Sequence, residues 1–346
     1  MRKLVSVQSI RAVSDIENAD RIQAYQINEW WVVDKKGAYQ VGDKIIYCEI
    51  DSWIPHNVAP FLSGDKTPKT YEGVEGARLR TKRLRGFYSQ GLILPMSFVE
   101  GDYEEDTDLT DVLGFKKWEE TIPAALAGEM EGAFPVSLLP KSDEDRLQNL
   151  GREFAKWQSQ NLVFIPSEKI EGSSITTIFK EGWKNSEVQV GSRNWLLRET
   201  DGNAYWQAVN KYDLKNVLPN YCRSIGRNLA VRAELVGPGL NKNIYDHTAI
   251  DMLVYNIYDL DTQSYVPLAE RLEHIAAMNL RSVPIFTDQA VDVSNVTIPD
   301  LLTLADGETA IGFRKKQLRE GLVWVCTTDP NLSFKTVSNK YLDKEK

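Results

Sequence analysis

The sequence predicts an α+β protein in which a small N-terminal β-barrel precedes a larger domain built on antiparallel sheets. Three observations lead there. Over residues 1–100, short apolar runs alternate with turn signals. Residues 101–145 are strongly acidic, and from Asn161 strand-like segments return with only two helical windows among them.

In the N-terminal region the predicted strands are Leu4–Val7, Ile22–Ile27, Trp30–Val33, Lys44–Ile50 and Gly91–Leu94. Asp34–Gly37 and Val41–Asp43 carry the turn residues between them. Strands at this spacing suit a small barrel. The stretches NADRIQAYQI and QVGDKIIYCEIDSWIP resemble OB-type barrels of nucleic-acid-binding proteins, so residues 1–100 are expected to form an OB-like nucleic-acid-binding domain. Gly101–Asp111 reads as a solvated acidic connector, and the linker is expected to span 101–130. The second domain is expected over 131–346. It should begin with a helix after Pro140, capped by Ser142 with acids in its first turn. The segments NLVFIPSEKI, SSITTIFK, SEVQVGSR, LAVRAELVG, IDMLVYNIYDL, LVWVCT and LSFKTVS are expected as strands, and Tyr205–Tyr212 and Ala269–Met278 as helices.

Composition narrows the classes of function. The 346 residues leave room for two or three domains. No apolar run reaches the length of a membrane span, and the N-terminus lacks the apolar core of a signal peptide. Cys48, Cys222 and Cys326 are an odd, scattered trio, which suits a reducing intracellular compartment, cytoplasm or nucleus. With three histidines, no Cys/His spacing suggests zinc. The formal charge of −8 is local in origin: residues 1–100 carry 14 basic and 12 acidic side chains, residues 101–145 carry 3 and 13, and the rest carry 24 of each. Exposed charges are screened beyond about 10 Å, so local patches decide what is bound.

The chemistry-bearing residues lie in the second half. Ser167-Glu168-Lys169-Ile170-Glu171-Gly172 sets a lysine at a strand end before a glycine turn. A lysine is a nucleophile only as the neutral amine, so it needs desolvation or nearby positive charge. Alone, Lys-x-Glu-Gly is mostly an ordinary surface turn. Five further segments, later in the chain, change the odds: Gly191-Ser192-Arg193-Asn194 at a strand end, Arg232–Gly237 with Glu234 among apolar neighbours, the aromatic strand Tyr255–Leu260, Arg319-Glu320-Gly321-Leu322-Val323-Trp324, and Ser333–Lys340 with Lys335 and Lys340. An unpaired carboxylate among apolar residues is costly, which favours a functional Glu234 over a structural one.

In this order the segments resemble the six motifs of the covalent nucleotidyltransferases, the superfamily of ATP-dependent RNA and DNA ligases and capping enzymes. The EKIEG and FKTVSNKYL stretches look like RNA-ligase versions, of the Deinococcus/Naegleria type with an N-terminal OB domain. The resemblance implies a ligase-type nucleotidyltransferase (adenylyltransferase) fold for the second domain. It implies ATP as cofactor, with AMP carried on Lys169, and Mg2+ or Mn2+. It implies that Lys169 is the nucleophile, that Glu168 fixes the adenine end, and that Glu171, where the family usually has aspartate, contacts ribose or a metal-bound water. Arg193 would grip ribose or phosphate, and Glu234 and Glu320 would hold ribose and metal. Tyr258, with Tyr255 as alternate, would stack on adenine. Lys335 would neutralise the α-phosphate, and Lys340 would supply a further phosphate contact. Against each role stands a plain one: a surface arginine, a core tyrosine, a strand-end glutamate or a solvated terminal lysine. Ser174 stands where DNA ligases favour arginine, and Val337 where a second lysine is common.

The expected activity is ATP-dependent sealing of RNA, or of an RNA-containing duplex with 5′-phosphate and 3′-hydroxyl ends, by a monomer in RNA repair. A GTP-using capping guanylyltransferase, an ATP-dependent DNA ligase and a non-catalytic RNA-binding protein are the alternatives. Ala77–Tyr88, ARLRTKRLRGFY, has five basic residues and no acid. As a strand it would set Arg78, Arg80 and Lys82 on one face to track a phosphate backbone, with Phe87 or Tyr88 to stack. A charged edge strand guarded against aggregation is the plain reading of the same residues.

Overall fold

The computed structural model describes residues 3–64, 66–118, 129–312 and 316–344. The chain divides into two compact units, Met1–Thr121 with Asp343–Lys346, and Ile122–Leu342.

The first unit holds β1 (Val5–Ser9), β2 (Ala12–Asp15), β3 (Ile22–Ile27), β4 (Trp30–Lys35), β5 (Lys44–Cys48), β6 (Ser52–Pro55), β7 (Lys69–Tyr71), β8 (Val74–Arg78), β9 (Lys82–Leu84), β10 (Phe87–Ser89), β11 (Leu92–Pro95) and β12 (Lys116–Lys117). They form three small antiparallel sheets, β1-β5-β11, β2-β3-β4 and β12-β6-β8-β7, and the separate hairpin β9–β10. The predicted strands are all present, each within two or three residues of its expected ends. Alternation drives the arrangement: Val5 and Val7, Tyr25 and Ile27, Trp30 and Val32, and Ile46 all turn into one core.

The acidic stretch does not act as a free connector at its start. Val7 N–H donates to Thr107 O at 3.0 Å and Leu109 N–H to Val5 O at 2.9 Å, so the chain runs beside β1. Leu109 and Phe115 are buried in the same core. The apolar residues spaced through this acidic text outweigh its charge: Asp102, Glu104 and Asp108 stay exposed, and Asp106 accepts from Gln8 Nε2 at 2.9 Å. Residues 119–128 of the expected linker lie outside the described residues.

The second unit holds β13 (Met130–Ala133), β14 (Val163–Lys169), β15 (Ser173–Phe179), β16 (Gln189–Gly191), β17 (Trp195–Leu197), β18 (Leu229–Val236), β19 (Asp251–Asp259), β20 (Ser264–Tyr265), β21 (Val291–Asp292), β22 (Gly321–Cys326) and β23 (Ser333–Val337). Its helices are α1 (Gly151–Ser159), α2 (Ala204–Lys211), α3 (Leu214–Ile225), α4 (Leu268–Ala277), α5 (Ile298–Ala305) and α6 (Asn339–Lys344). The strands make a seven-stranded antiparallel sheet, β13-β17-β16-β15-β18-β19-β20, and a four-stranded one, β21-β14-β22-β23. One face of the larger sheet packs under α2, α3 and α4 through Ile175, Val231, Ala233, Leu235, Leu214 and Leu218. The opposite face of β18 carries Ala230, Arg232, Glu234 and Val236, and this face bears the polar residues of interest.

Both predicted helices are present as α2 and α4. The helix expected after Pro140 is not: residues 141–145 form no regular element, Leu147–Asn149 makes one 3-10 turn, and the next α-helix starts at Gly151. Lys335 N–H donates to Asp145 O at 2.9 Å, and Arg146 bridges Lys335, so the backbone bonds of this segment go to β23 instead of to a helical turn. Tertiary pairing overrides the local capping signal. Helix α5 announces itself with a Thr297/Asp300 capping box and a proline in its first turn. Helix α3 carries Pro219 in its interior, a residue that speaks against a helix, yet Leu214, Leu218 and Cys222 bury one face of it.

Candidate active site

The site is assembled where the end of β14 meets β22, β23 and the polar face of β18. In the antiparallel pair β14–β22, Lys169 lies opposite Gly321. Lys169 ends β14 and Glu320 immediately precedes β22, so the two side chains are delivered to the same place. Their Nζ and Oε1 are 2.7 Å apart. Two glycines allow the close approach. A Cβ on Gly321 would sit 2.2 Å from Thr336 O, and one on Gly172 would sit 2.4 Å from Leu235 O and 2.9 Å from Glu234 Cγ. The turn after Lys169 therefore lies directly on β18 beside Glu234. Tyr245, fully buried, fixes that turn by accepting the Glu171 N–H at 2.7 Å.

The electrostatics of this end are dominated by acid. Burial presses the Lys169 ammonium toward the neutral form, but Glu320 and Glu234 outweigh it and hold the amine above its ordinary range. This corrects the expectation that desolvation or neighbouring cations prepare a neutral amine: without ligands, Lys169 is a paired ammonium. Burial raises Glu234 to about 8, against the pull of Lys169 and with the push of Glu320 and Glu171. Burial, then Glu320, raise Glu171 to about 7. Glu171 Oε2 is buried and has no hydrogen-bond partner. Glu171, Glu234 and Glu320 thus crowd around the Lys169 ammonium.

That surplus fits a divalent cation. Among the described residues no three His, Cys, Asp or Glu side chains converge as an all-protein metal cage. Magnesium does not need one, since it keeps several waters and takes one or two carboxylates plus phosphate oxygens. Glu171, with its orphaned oxygen, Glu234 and Glu320 are the residues of that kind here.

The other predicted residues differ in their partners and burial. Lys335, on β23, places Nζ 3.1 Å from Asp143 Oδ1, and Arg193 Nη2 lies 2.5 Å from Asp143 Oδ2. Burial lowers the Lys335 pKa, Asp143 opposes this, and Lys169 and Arg146 reinforce it. Glu168 is buried with both carboxylate oxygens engaged, one by the Thr309 hydroxyl and one by the Ala310 N–H at 2.7 Å. It anchors the 309–310 loop. Tyr258 is in the core: it packs among Phe134, Leu139, Ile178 and Leu260, edge-on to Tyr265. Tyr255, the alternate, is the tyrosine near the carboxylates; its hydroxyl is 3.1 Å from Ser174 Oγ, and Glu234 helps raise its pKa after burial. Lys340, on α6, is 65% exposed and pairs with Asp306 at 3.4 Å.

Sequence reading missed Asp143, Ser174 as a positive contributor, and Tyr245. Arg319, quoted without a role, donates to Leu304 O and Ala305 O at 2.6 and 3.1 Å, which ties the C-terminal end of α5 to the residue before Glu320.

The basic run in the first unit also differs from expectation. Arg78 does not share a face with Arg80 and Lys82. It pairs with Asp51 at 2.6 Å and lies 3.7 Å over the Trp118 ring. The strand breaks at Leu79, whose side chain is buried. Lys82, Arg83 and Arg85 sit instead on the exposed β9–β10 hairpin, with Arg83 5.5 Å over Tyr88.

A family model described as RNA ligase matches residues 163–342, and one described as an OB-fold domain matches residues 4–96. No curated protein matches the chain. Among solved structures, a lysine-to-alanine mutant of Naegleria gruberi RNA ligase with ATP and Mn is 34% identical over 99% of both chains, with a TM-score of 0.87. The same organism's ligase with PPi is similar to the same degree, 34% identical over 99% of both chains at a TM-score of 0.87. An apo mutant of it reaches 0.88 at the same identity and coverage.

Proposed function

As a member of the RNA ligase family with an N-terminal OB-fold domain, this chain is an ATP-dependent RNA ligase, and we propose that it carries AMP on Lys169. The observation that supports this most is the seating of Lys169 at a strand end, 2.7 Å from Glu320 and within the field of Glu234 and Glu171. A half-buried lysine whose neighbours are surplus carboxylates is placed to meet a phosphate that arrives with its cation.

In the first step Nζ of Lys169 bonds to the α-phosphorus as the bond to pyrophosphate breaks. Lys169, an ammonium in the empty site, loses one proton to solvent as the nucleotide arrives and a second to Glu320 as the P–N bond forms. Magnesium or manganese beside Glu171, Glu234 and Glu320 would supply positive charge to the phosphate oxygens and favour the neutral amine. Lys335 and Arg193 neutralise phosphate oxygens from the other side, where preorganised cations act without reorganisation. Tyr255 takes the adenine-facing role expected of Tyr258, and Glu168 anchors the 309–310 loop. In the second step an RNA 5′-phosphate oxygen attacks the same phosphorus, the P–N bond breaks, and Lys169 recovers its proton. In the third a 3′-hydroxyl attacks the activated 5′-phosphate and AMP leaves. We assign adenylyl transfer to the unit from 131 onward. RNA docking falls to the OB-fold unit, with Lys82, Arg83 and Arg85 on its hairpin tracking the phosphate backbone.

We further propose a monomer acting in RNA repair on 5′-phosphate and 3′-hydroxyl ends. Among the described residues no helix is long and apolar enough to cross a membrane. Three free, buried cysteines support a reducing compartment. The test is incubation with α-labelled ATP or GTP and magnesium, followed by denaturing electrophoresis. ATP should label the wild type and GTP should not. Equal labelling of Lys169→Ala would sink the assignment.

A further inference from the structure

The segment 142–146 bonds both to β23 and to Arg193, just after β16, and the three catalytic steps make no use of its side chains. Asp143 is its distinctive member. One oxygen accepts from Arg193, which comes just after β16 of the larger sheet, and the other from Lys335 on β23 of the smaller sheet. A single carboxylate therefore ties the two walls together through the two cations assigned to phosphate. The backbone around it is held by other means. Ser142 Oγ lies 3.1 Å from Ser174 Oγ, and Asp145 O accepts from Lys335 N–H at 2.9 Å. About a third of the side chain is open to solvent on both Asp143 and Arg193, 37% and 36%. The carboxylate is thus reachable by an incoming anion while the chain that bears it stays in place.

Resting on the phosphate role given to Arg193 and Lys335, we propose that Asp143 is a positioning residue: a resident counter-anion that holds these two cations in the empty cleft and is displaced by the nucleotide's phosphate. Carboxylate and phosphate compete for the same charge-assisted donors, and phosphate brings more charge and more acceptor oxygens. Lys335 is largely buried, and a buried cation left without an anion is destabilised, so the counter-anion keeps the empty site folded. Breaking its bonds to Arg193 and Lys335 is work that nucleotide binding must do, and it appears as a weaker apparent affinity.

The test compares wild type with Asp143→Asn and Asp143→Ser by the ATP dependence of Lys169 labelling, with Tm measured in the same buffer. Neutralising the competitor should lower the KM for ATP by roughly 3–10-fold, the scale of a lost charge-assisted bond, in both variants. The maximal rate should stay within about twofold, and inhibition by added pyrophosphate should tighten in parallel. A KM that is unchanged or raised in both variants, or a fall in rate at constant KM, overturns the proposal. Arg193→Ala and Lys335→Ala test the underlying reading separately: if neither raises the KM of an otherwise folded enzyme, the phosphate role fails, and Asp143 is not at fault.

Discussion

Two lysines face one cleft, and burial presses both toward the neutral amine, yet their pKa values move in opposite directions. Lys169 is raised because Glu320 and Glu234 overcome its desolvation. Lys335 is lowered because Asp143 offsets only part of its burial while Lys169 and Arg146 push the same way. The difference lies in the count of opposing charges, not in depth. One end of the cleft is acid-rich around Lys169; at the other, Asp143 pairs with both Lys335 and Arg193. The first end calls for an added cation and the second for an added anion, and a metal–nucleotide complex is both at once.

The sharpest way to break this contrast is to remove the lysine at the acid-rich end. Lys169→Ala should lose covalent labelling entirely, while Lys335→Ala should still label at high ATP. Glu320→Gln comes next. It leaves Lys169 without its close partner and should cut labelling by roughly 10²–10³, the scale of losing a preorganised charged group, measured as the single-turnover rate.

How far this contrast could be read in advance depends on what a local pattern can carry. Lys169, Glu234, Glu320 and Lys335 stand in short segments whose residue types carry the chemistry locally, so they were legible. Asp143 was not, since its partners lie 50 and 192 residues away and its own text, SDEDR, reads as a helix start. The tyrosines were confused for a related reason. The register of β18 and β19 shifts between Arg232 and Ala233, leaving Tyr255 as an extra residue. That bulge turns Tyr255 and Tyr258 to the same face, where simple alternation would separate them, and only the packing of the 134–139 segment over Tyr258 shows which one is core. The barrel strands were legible because their alternation is regular. The docking of Leu109 and Phe115 was hidden under acidic neighbours.

The core assignment of Tyr258 predicts that Tyr258→Ala costs stability, about 3–5 kcal/mol as for a large buried aromatic, by denaturant unfolding. Tyr255→Phe should instead leave stability nearly intact and raise the KM for ATP.

A smaller effect sharpens the acid-rich end through pH. Glu234 has a folded-state pKa raised to about 8, well above that of an unfolded glutamate. Between these values the folded state binds a proton that the unfolded chain does not, so this residue's contribution to stability falls as pH rises through that window. In metal-free buffer Glu234→Gln should therefore raise Tm more at pH 8.5 than at pH 5, by about 2–4 °C for each kcal/mol relieved. Equal shifts at both values would contradict the crowding of Glu234 by burial and by Glu320 and Glu171. Lys340→Ala closes the series: its exposed pair with Asp306 is of the kind worth about 0–1 kcal/mol, and labelling should change by less than about twofold.

Peptide mapping by mass spectrometry, after incubation of folded protein with ATP and magnesium, tests the role of Lys169 most directly. An acid-labile AMP adduct is expected on the peptide containing Lys169 and on no other. Folded protein that seals RNA while that peptide stays unmodified, or an adduct on Lys335 instead, would contradict it.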